Sequence, residues 1–208
     1  MKTCRLILFV TLLSVFTFSH EASSYIITSY NIPPGRPAWN GGPFLIDGSI
    51  VTYCLEVSEH LTFGVNYFGT IDDYAIKGGN LTNHGAPEPS VANRDYLNPW
   101  SEWLYAYYLS DSLTSQAKMM GLQQAIWYIE GEISSLPAGW ATTYYGIVQV
   151  QNPTADIPWI HVLNLYSYDS NGKLVDNQSV IITPEPGTIL LLGAGLLGLG
   201  IVVRRRKR

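Results

Sequence analysis

The body of this chain is short of cysteine, of cations and of histidine, and each shortage removes a class of protein. Two cysteines occur in 208 residues, and Cys4 sits in the N-terminal apolar segment. Cys54 is then alone, so the body cannot build an internal disulfide framework. Of the 12 Lys and Arg, seven lie within residues 1–24 and 184–208. The 159 residues between carry five cations against 14 Asp and Glu, a net charge of −9. A surface of that sign offers a phosphate backbone no counterion-releasing patch, which argues against nucleic-acid binding. His60, His84 and His161 show no paired-ligand spacing of the kind zinc sites use. None lies in a hydrolase motif, so a cysteine hydrolase would need its base brought in by the fold. Charged side chains make up 13% of the chain and aromatics 12%, a balance that opposes disorder. One domain with room for a core is expected, with no internal repeat and no cofactor.

The two ends read as addresses. Lys2 and Arg5 precede the apolar run Leu6–Phe18, and small residues follow at Ala22-Ser23-Ser24. Residues 1–24 therefore read as a secretory signal peptide; as an uncleaved anchor the run would be short. Cys4 precedes the apolar run, so it is not placed as a lipoprotein acceptor. At the other end, Gly187–Val203 is an uncharged run of 17 residues capped by Arg204, Arg205, Arg206, Lys207 and Arg208. The positive-inside rule puts that cap in the cytoplasm and the body outside. Pro184, Glu185 and Pro186 stand immediately before the run. This order of elements over 184–208 resembles the PEP-CTERM sorting signal of Gram-negative bacteria. The resemblance implies export by the Sec machinery, transient inner-membrane anchoring through 187–203 and cleavage by exosortase. It further implies delivery to the cell envelope or extracellular matrix, in association with exopolysaccharide and biofilm. Gly193-Ala-Gly195-Leu-Leu-Gly198 spells a dinucleotide fingerprint, but it lies inside the apolar run with arginines following, so the match is accidental.

Between the ends, 25–183 reads as one extracellular domain. Residues 44–57 alternate and are β-branched enough for a strand, and 61–68 reads as a second strand pairing with it. The Gly, Asn and Pro content of 78–98 suggests a long surface loop. A helix is expected over 99–109 with Asn98 as N-cap and Pro99 at the first position, a second over 114–133 and a third over 141–151. Two strands, 157–168 and 173–182, flank the turn Asp169-Ser-Asn171-Gly172. Asp169 and Asn171 lack the other acids of a calcium loop, so the turn is preferred. Strands, helices, strands give an α+β domain: an antiparallel β-sandwich or barrel carrying a helical insertion.

A lone cysteine in an exported chain has two readings. One is a small buried hydrophobe on a strand. The other needs an acyl partner, and helix 114–133 supplies a candidate. Met119, Leu122, Ile126, Ile129 and Ile133 recur at helical spacing, which places Gln123 about 80° from the centre of that apolar stripe and Gln124 opposite it. Gln123 is thus favoured over Gln124 as the semi-buried glutamine, with Trp127 one turn on covering it.

Tyr53-Cys54-Leu55-Glu56 and Leu122-Gln123-Gln124-Ala125-Ile126-Trp127 resemble the two signature motifs of bacterial thioester domains, in the expected order. Known members are surface adhesins in which the cysteine sulfur is joined to the glutamine carbonyl with loss of ammonia. The resemblance spans about residues 50–183. It implies an internal Cys54–Gln123 thioester that attaches covalently to an amine on a surface protein or exopolysaccharide, a stoichiometric adhesive and not an enzyme.

The chemistry accounts for the residue types. Thiolate attack on an amide requires the pair to be held in near-attack geometry, and the product must be kept from water. Tyr53, Trp127 and the Trp100/Trp103 helix are candidate walls, with ordinary core packing as the plain alternative. Glu56, two residues from Cys54, either orients the glutamine or accepts a proton, unless it is an exposed strand acid. The rival function is a non-catalytic extracellular structural or carbohydrate-binding module, in which Cys54 and Gln123 are only core residues.

Overall fold

A computed structural model describes residues 23–32, 36–37, 42–77, 83–87, 91 and 94–183; the expected signal peptide 1–24, apart from Ser23 and Ser24, and the expected sorting segment 184–208 lie outside them. Among the described residues, one six-stranded sheet, two short ribbons and three helices make up the fold. β1 (Ser23–Ser29), β4 (Phe44–Ile46), β5 (Ile50–Thr52), β6 (Asn66–Asp72), β9 (His161–Tyr168) and β10 (Leu174–Ile182) form one antiparallel sheet in the order β10-β9-β6-β1-β4-β5. β2 (Asn31–Ile32) with β3 (Arg36–Pro37), and β7 (Tyr74–Ala75) with β8 (Asp95–Tyr96), are short accessory ribbons. Between β8 and β9 come α1 (Pro99–Ser112), α2 (Gln116–Ile129) and α3 (Trp140–Gln151). This is the expected α+β architecture with its helical insertion, and the sheet is a half-barrel.

The half-barrel is drawn together at one seam. Beyond the end of β5, Cys54 bridges Val180 of β10, the strand at the opposite edge. The Leu55 N–H donates to the Ser179 carbonyl at 3.0 Å, and the Ile181 N–H donates to the Tyr53 carbonyl at 3.0 Å. Two edges that would otherwise expose unpaired groups thereby satisfy each other over a short stretch.

Several strand expectations need correction. Residues 44–57 are not one strand, because Asp47 and Gly48 both take positive φ (49° and 71°) and fold β4 back on β5. Asp-Gly is the pair that such a turn prefers. Residues 61–65 are not strand; β6 begins at Asn66 and pairs with β1 and β9, not with β4 or β5. β1 was hidden in sequence by the serines that read as a cleavage region, yet it lies between β4 and β6 in the sheet.

The helices hold closer to expectation. The Asn98 carboxamide oxygen caps α1 by accepting the Trp100 N–H at 3.0 Å, with Pro99 in the first turn. α1 runs three residues further than expected. α2 is shorter than 114–133: the Ser115 hydroxyl caps it, and Gly131 at φ 72° lies just past its end. Its apolar stripe is buried from Met119 to Ile129, while Ile133, beyond the helix, is only half-buried. Gly121 lets α3 approach closely, since a Cβ there would stand 2.3 Å from the Trp140 Cβ.

Strand alternation divides the core in two at the seam. Cys54, Val180, Ile182, Leu163 and Leu165 face the inside of the half-barrel with Ile27 and Ile46. Tyr53, Leu55, Val162 and Ile181 face the helices and pack with Leu104, Leu122 and Ile126. A one-residue bulge in β10 between Asp176 and Ser179 shifts its register on β9 and brings Gln178 and Ser179 to the seam.

Candidate functional site

Cys54 sits opposite Val180 at a position where the ladder bonds to β10 belong to its neighbours Tyr53 and Leu55. Its own N–H and C=O therefore point away from β10, as in any non-hydrogen-bonded pair. Gln123 of α2 takes both. The Cys54 N–H donates to Gln123 Oε1 at 3.0 Å, and Gln123 Nε2 donates to the Cys54 carbonyl at 2.7 Å. One planar carboxamide stands where the next strand would be. It is fixed at both ends on the residue that carries the sulfur, and it belongs to the glutamine that the helical wheel singles out. Gln124 is half-buried and makes neither bond.

Burial of the pair goes beyond the semi-buried position expected: Cys54 is 3% exposed and Gln123 1%. Burial pushes the thiol well above its ordinary range, and the nearby charge of Glu56 pushes it the same way. Cys54 is thus a neutral thiol in an apolar surrounding, far from the depressed values of solvent-accessible reactive cysteines.

Glu56 is not an exposed strand acid; it is 1% exposed. Its Oε2 accepts the Ser179 N–H at 2.8 Å and a Gln178 Nε2 hydrogen at 3.0 Å, while Gln178 Nε2 also donates to the Glu56 carbonyl at 2.6 Å. The carboxyl is therefore anchored to the β10 bulge and does not orient Gln123. Its Oε1 is buried with no hydrogen-bond partner. Burial raises the Glu56 pKa to about 8; the Ser179 hydrogen bond opposes that rise and the Glu132 carboxylate adds to it.

The expected aromatic walls divide. Trp127 packs in the same apolar cluster as Cys54, and its indole N–H is buried without a partner. Tyr53 turns to the helix side, where its hydroxyl meets Ser112 Oγ at 2.9 Å and burial raises its pKa. Trp100 and Trp103 belong to that helix layer too, so they are not walls of the Cys54 cluster. Strand parity is the cause: neighbours on an extended segment face opposite ways.

Gly42 was not anticipated. A Cβ at this position, which has φ 138°, would stand 2.9 Å from Gln123 Oε1 and 3.1 Å from the Tyr53 ring. Its backbone closes over the carboxamide oxygen. Gly41-Gly42-Pro43 is legible as a break in structure, but the close approach belongs to the tertiary fold. Gln178 and Ser179 were likewise unsignalled, because a bulge shifts side-chain parity without marking the sequence.

The histidines are engaged or sited elsewhere. His84 stacks on Tyr128 with ring centroids 4.0 Å apart, His161 Nδ1 lies 2.9 Å from Asp73 Oδ1, and His60 is exposed. Asp169 Oδ1 accepts the Asn171 and Lys173 N–H groups at 2.9 Å each, which is the turn reading of that loop. Among the described residues no group of three His, Cys, Asp or Glu could hold a metal ion, and no helix is long and apolar enough to cross a membrane.

Residues 183–207 match the PEP-CTERM protein-sorting motif. The chain thus carries the signal of an exported protein that exosortase sorts to the cell surface. No curated protein and no solved structure matches the chain.

Proposed function

We propose that this exosortase-sorted protein holds Cys54 and Gln123 as the precursors of an internal thioester, through which the exported domain becomes covalently attached to an amine in the envelope or matrix. The N-terminal apolar segment directs Sec export, the 187–203 run anchors the protein in the inner membrane until processing, and the domain that opens with β1 is the part delivered. One observation carries the reading: a buried carboxamide is bonded at both ends to the backbone of the cysteine whose sulfur is to attack it. Such confinement supports the reading, because attack on an unreactive amide requires the two groups to be held together. The same burial shelters the product from hydrolysis. An amine displaces the sulfur and leaves an amide, so each molecule acts once and does not turn over. The acidic body favours a cationic, amine-bearing partner.

Intact mass tests the reading. The exported protein is expected one ammonia lighter than its sequence, with the deficit abolished in Cys54→Ala and in Gln123→Ala. Methylamine should restore mass by one methylamine and release a thiol that reacts with maleimide. A full-mass wild-type protein would overturn the thioester.

A second reading, a non-catalytic module that binds carbohydrate, is favoured by a different surface. On the outer face of the sheet Phe68 and Tyr168 are exposed with ring centroids 5.4 Å apart, and Tyr166 is the register partner of Phe68. Thr70 and Asp72 lie alongside with polar oxygens that suit sugar hydroxyls. In that reading Gln123 serves only as the cap on the Cys54 backbone.

A further inference from the structure

We propose that Glu56 is the proton carrier of thioester formation, taking the proton from the Cys54 thiol and passing it to the departing Gln123 nitrogen; this rests on the thioester reading above. A fully buried thiol does not ionise on its own, so the attack needs a base inside the protein. Glu56 lies two residues from Cys54 on the same segment and is buried with it, and its charge bears on the thiol. The Glu56 carboxyl is divided in its duties. Oε2 is held by the Ser179 N–H and the Gln178 side chain, which fixes the group, while Oε1 has no partner although it is fully buried. An orphaned carboxyl oxygen in a buried site is rare and costly, and proton transfer accounts for it. The titratable groups bearing on it are Cys54 of its own segment and Glu132 of the α2–α3 connection; β10 presents only the neutral Gln178 and Ser179. Its pKa, raised to about 8, suits a group that must first accept a proton and then return it.

The step balances. Glu56 Oε1 takes the thiol hydrogen as the sulfur attacks the Gln123 carboxamide carbon. The new S–C bond leaves a tetrahedral intermediate whose amino group accepts that proton from Glu56. The C–N bond then breaks with its electron pair on nitrogen, the carbonyl re-forms and ammonia departs. Glu56 ends as it began, a carboxylate. No oxidant, metal or nucleotide enters.

The test follows the ammonia deficit against time. The full chain is synthesised in a cell-free reaction with detergent micelles, and intact mass is sampled at several pH values between about 6 and 9. Wild type is expected to lose ammonia at a rate that rises with pH and levels off above about 8. Glu56→Gln keeps size and the Ser179 bond, and it should slow the loss on the order of 100-fold and flatten the pH profile. Glu56→Asp should retain a measurable part of the rate. If Glu56→Gln loses ammonia at the wild-type rate, the proton carrier is wrong and the thioester stands. If wild type never loses ammonia, the thioester itself fails. Circular-dichroism melting checks that the variant folds; should it not, a wild-type rate independent of pH overturns the proposal.

Discussion

Removing the Gln123 carboxamide perturbs the site most directly, and the Cys54→Ala background isolates the effect. Alanine at 54 keeps the backbone N–H and C=O that Gln123 binds, and without sulfur no covalent link intervenes. In that background Gln123→Ala leaves a buried donor and a buried acceptor without partners, since the seam bonds to β10 belong to Tyr53 and Leu55. Each orphan costs about 1–3 kcal/mol. The lost methylene adds about 0.8 kcal/mol. A destabilisation of about 4 kcal/mol is expected, a large part of the roughly 5–15 kcal/mol that holds a domain together. Urea unfolding followed by tryptophan fluorescence reads it, because Trp127 is buried beside the site. Gln123→Glu sharpens the reasoning. Its second oxygen stands where Nε2 donates now, facing the Cys54 carbonyl, so the ionised form is repelled and the protonated form is accepted. The folded pKa of that glutamate lies above its unfolded value, so stability is full at acid pH and is lost as pH rises through the folded pKa. A Gln123→Ala penalty below about 1 kcal/mol, or a Gln123→Glu variant indifferent to pH, would refute the two-bond cap.

Three further outcomes follow from the same geometry. Burial raises the Glu56 carboxyl from its ordinary 4.5 to about 8 in the fold, so wild-type stability should be full below about 4.5 and fall as pH rises through about 8. Asp95 and Glu102, both raised to about 7 mainly by burial, act in the same direction, and Glu56→Gln should flatten the melting-temperature profile in part. Gly42→Ala puts a methyl 2.9 Å from Gln123 Oε1 at a φ of 138°, and should cost about 1–3 kcal/mol by thermal melting and loosen the carboxamide. Gly121→Ala forces α2 from α3, where 2.3 Å separates the added Cβ from that of Trp140; a loss of about 1–3 kcal/mol in chemical denaturation is expected, with the half-barrel retained.

Legibility followed the range of the forces involved. α1 and α2 were readable because their signals are local: Asn98 before Pro99, and apolar residues at helical spacing. The wheel that put Gln123 at the edge of the stripe used only that spacing. The strands were less readable. Periodicity cannot see that Asp47 and Gly48 reverse the chain inside an alternating run, nor that β6 waits until Asn66. It also cannot tell which strand a strand will join, and β6 joined β1 and β9.

The sequence by itself determined the sorting motif near the C-terminus and the presence of one thiol in an acidic body, and it favoured Gln123 over Gln124. Each is a matter of composition or of spacing along one segment. Only the tertiary structure decided that Gln123 closes on the Cys54 backbone, that Glu56 is buried and held by the β10 bulge, and that Tyr53 turns away to the helices. Those outcomes depend on a seam between residues more than 120 positions apart, where Cys54 meets Val180. Pairing there leaves one backbone edge unsatisfied in an apolar interior, and the cost of a bare N–H and C=O draws in the carboxamide.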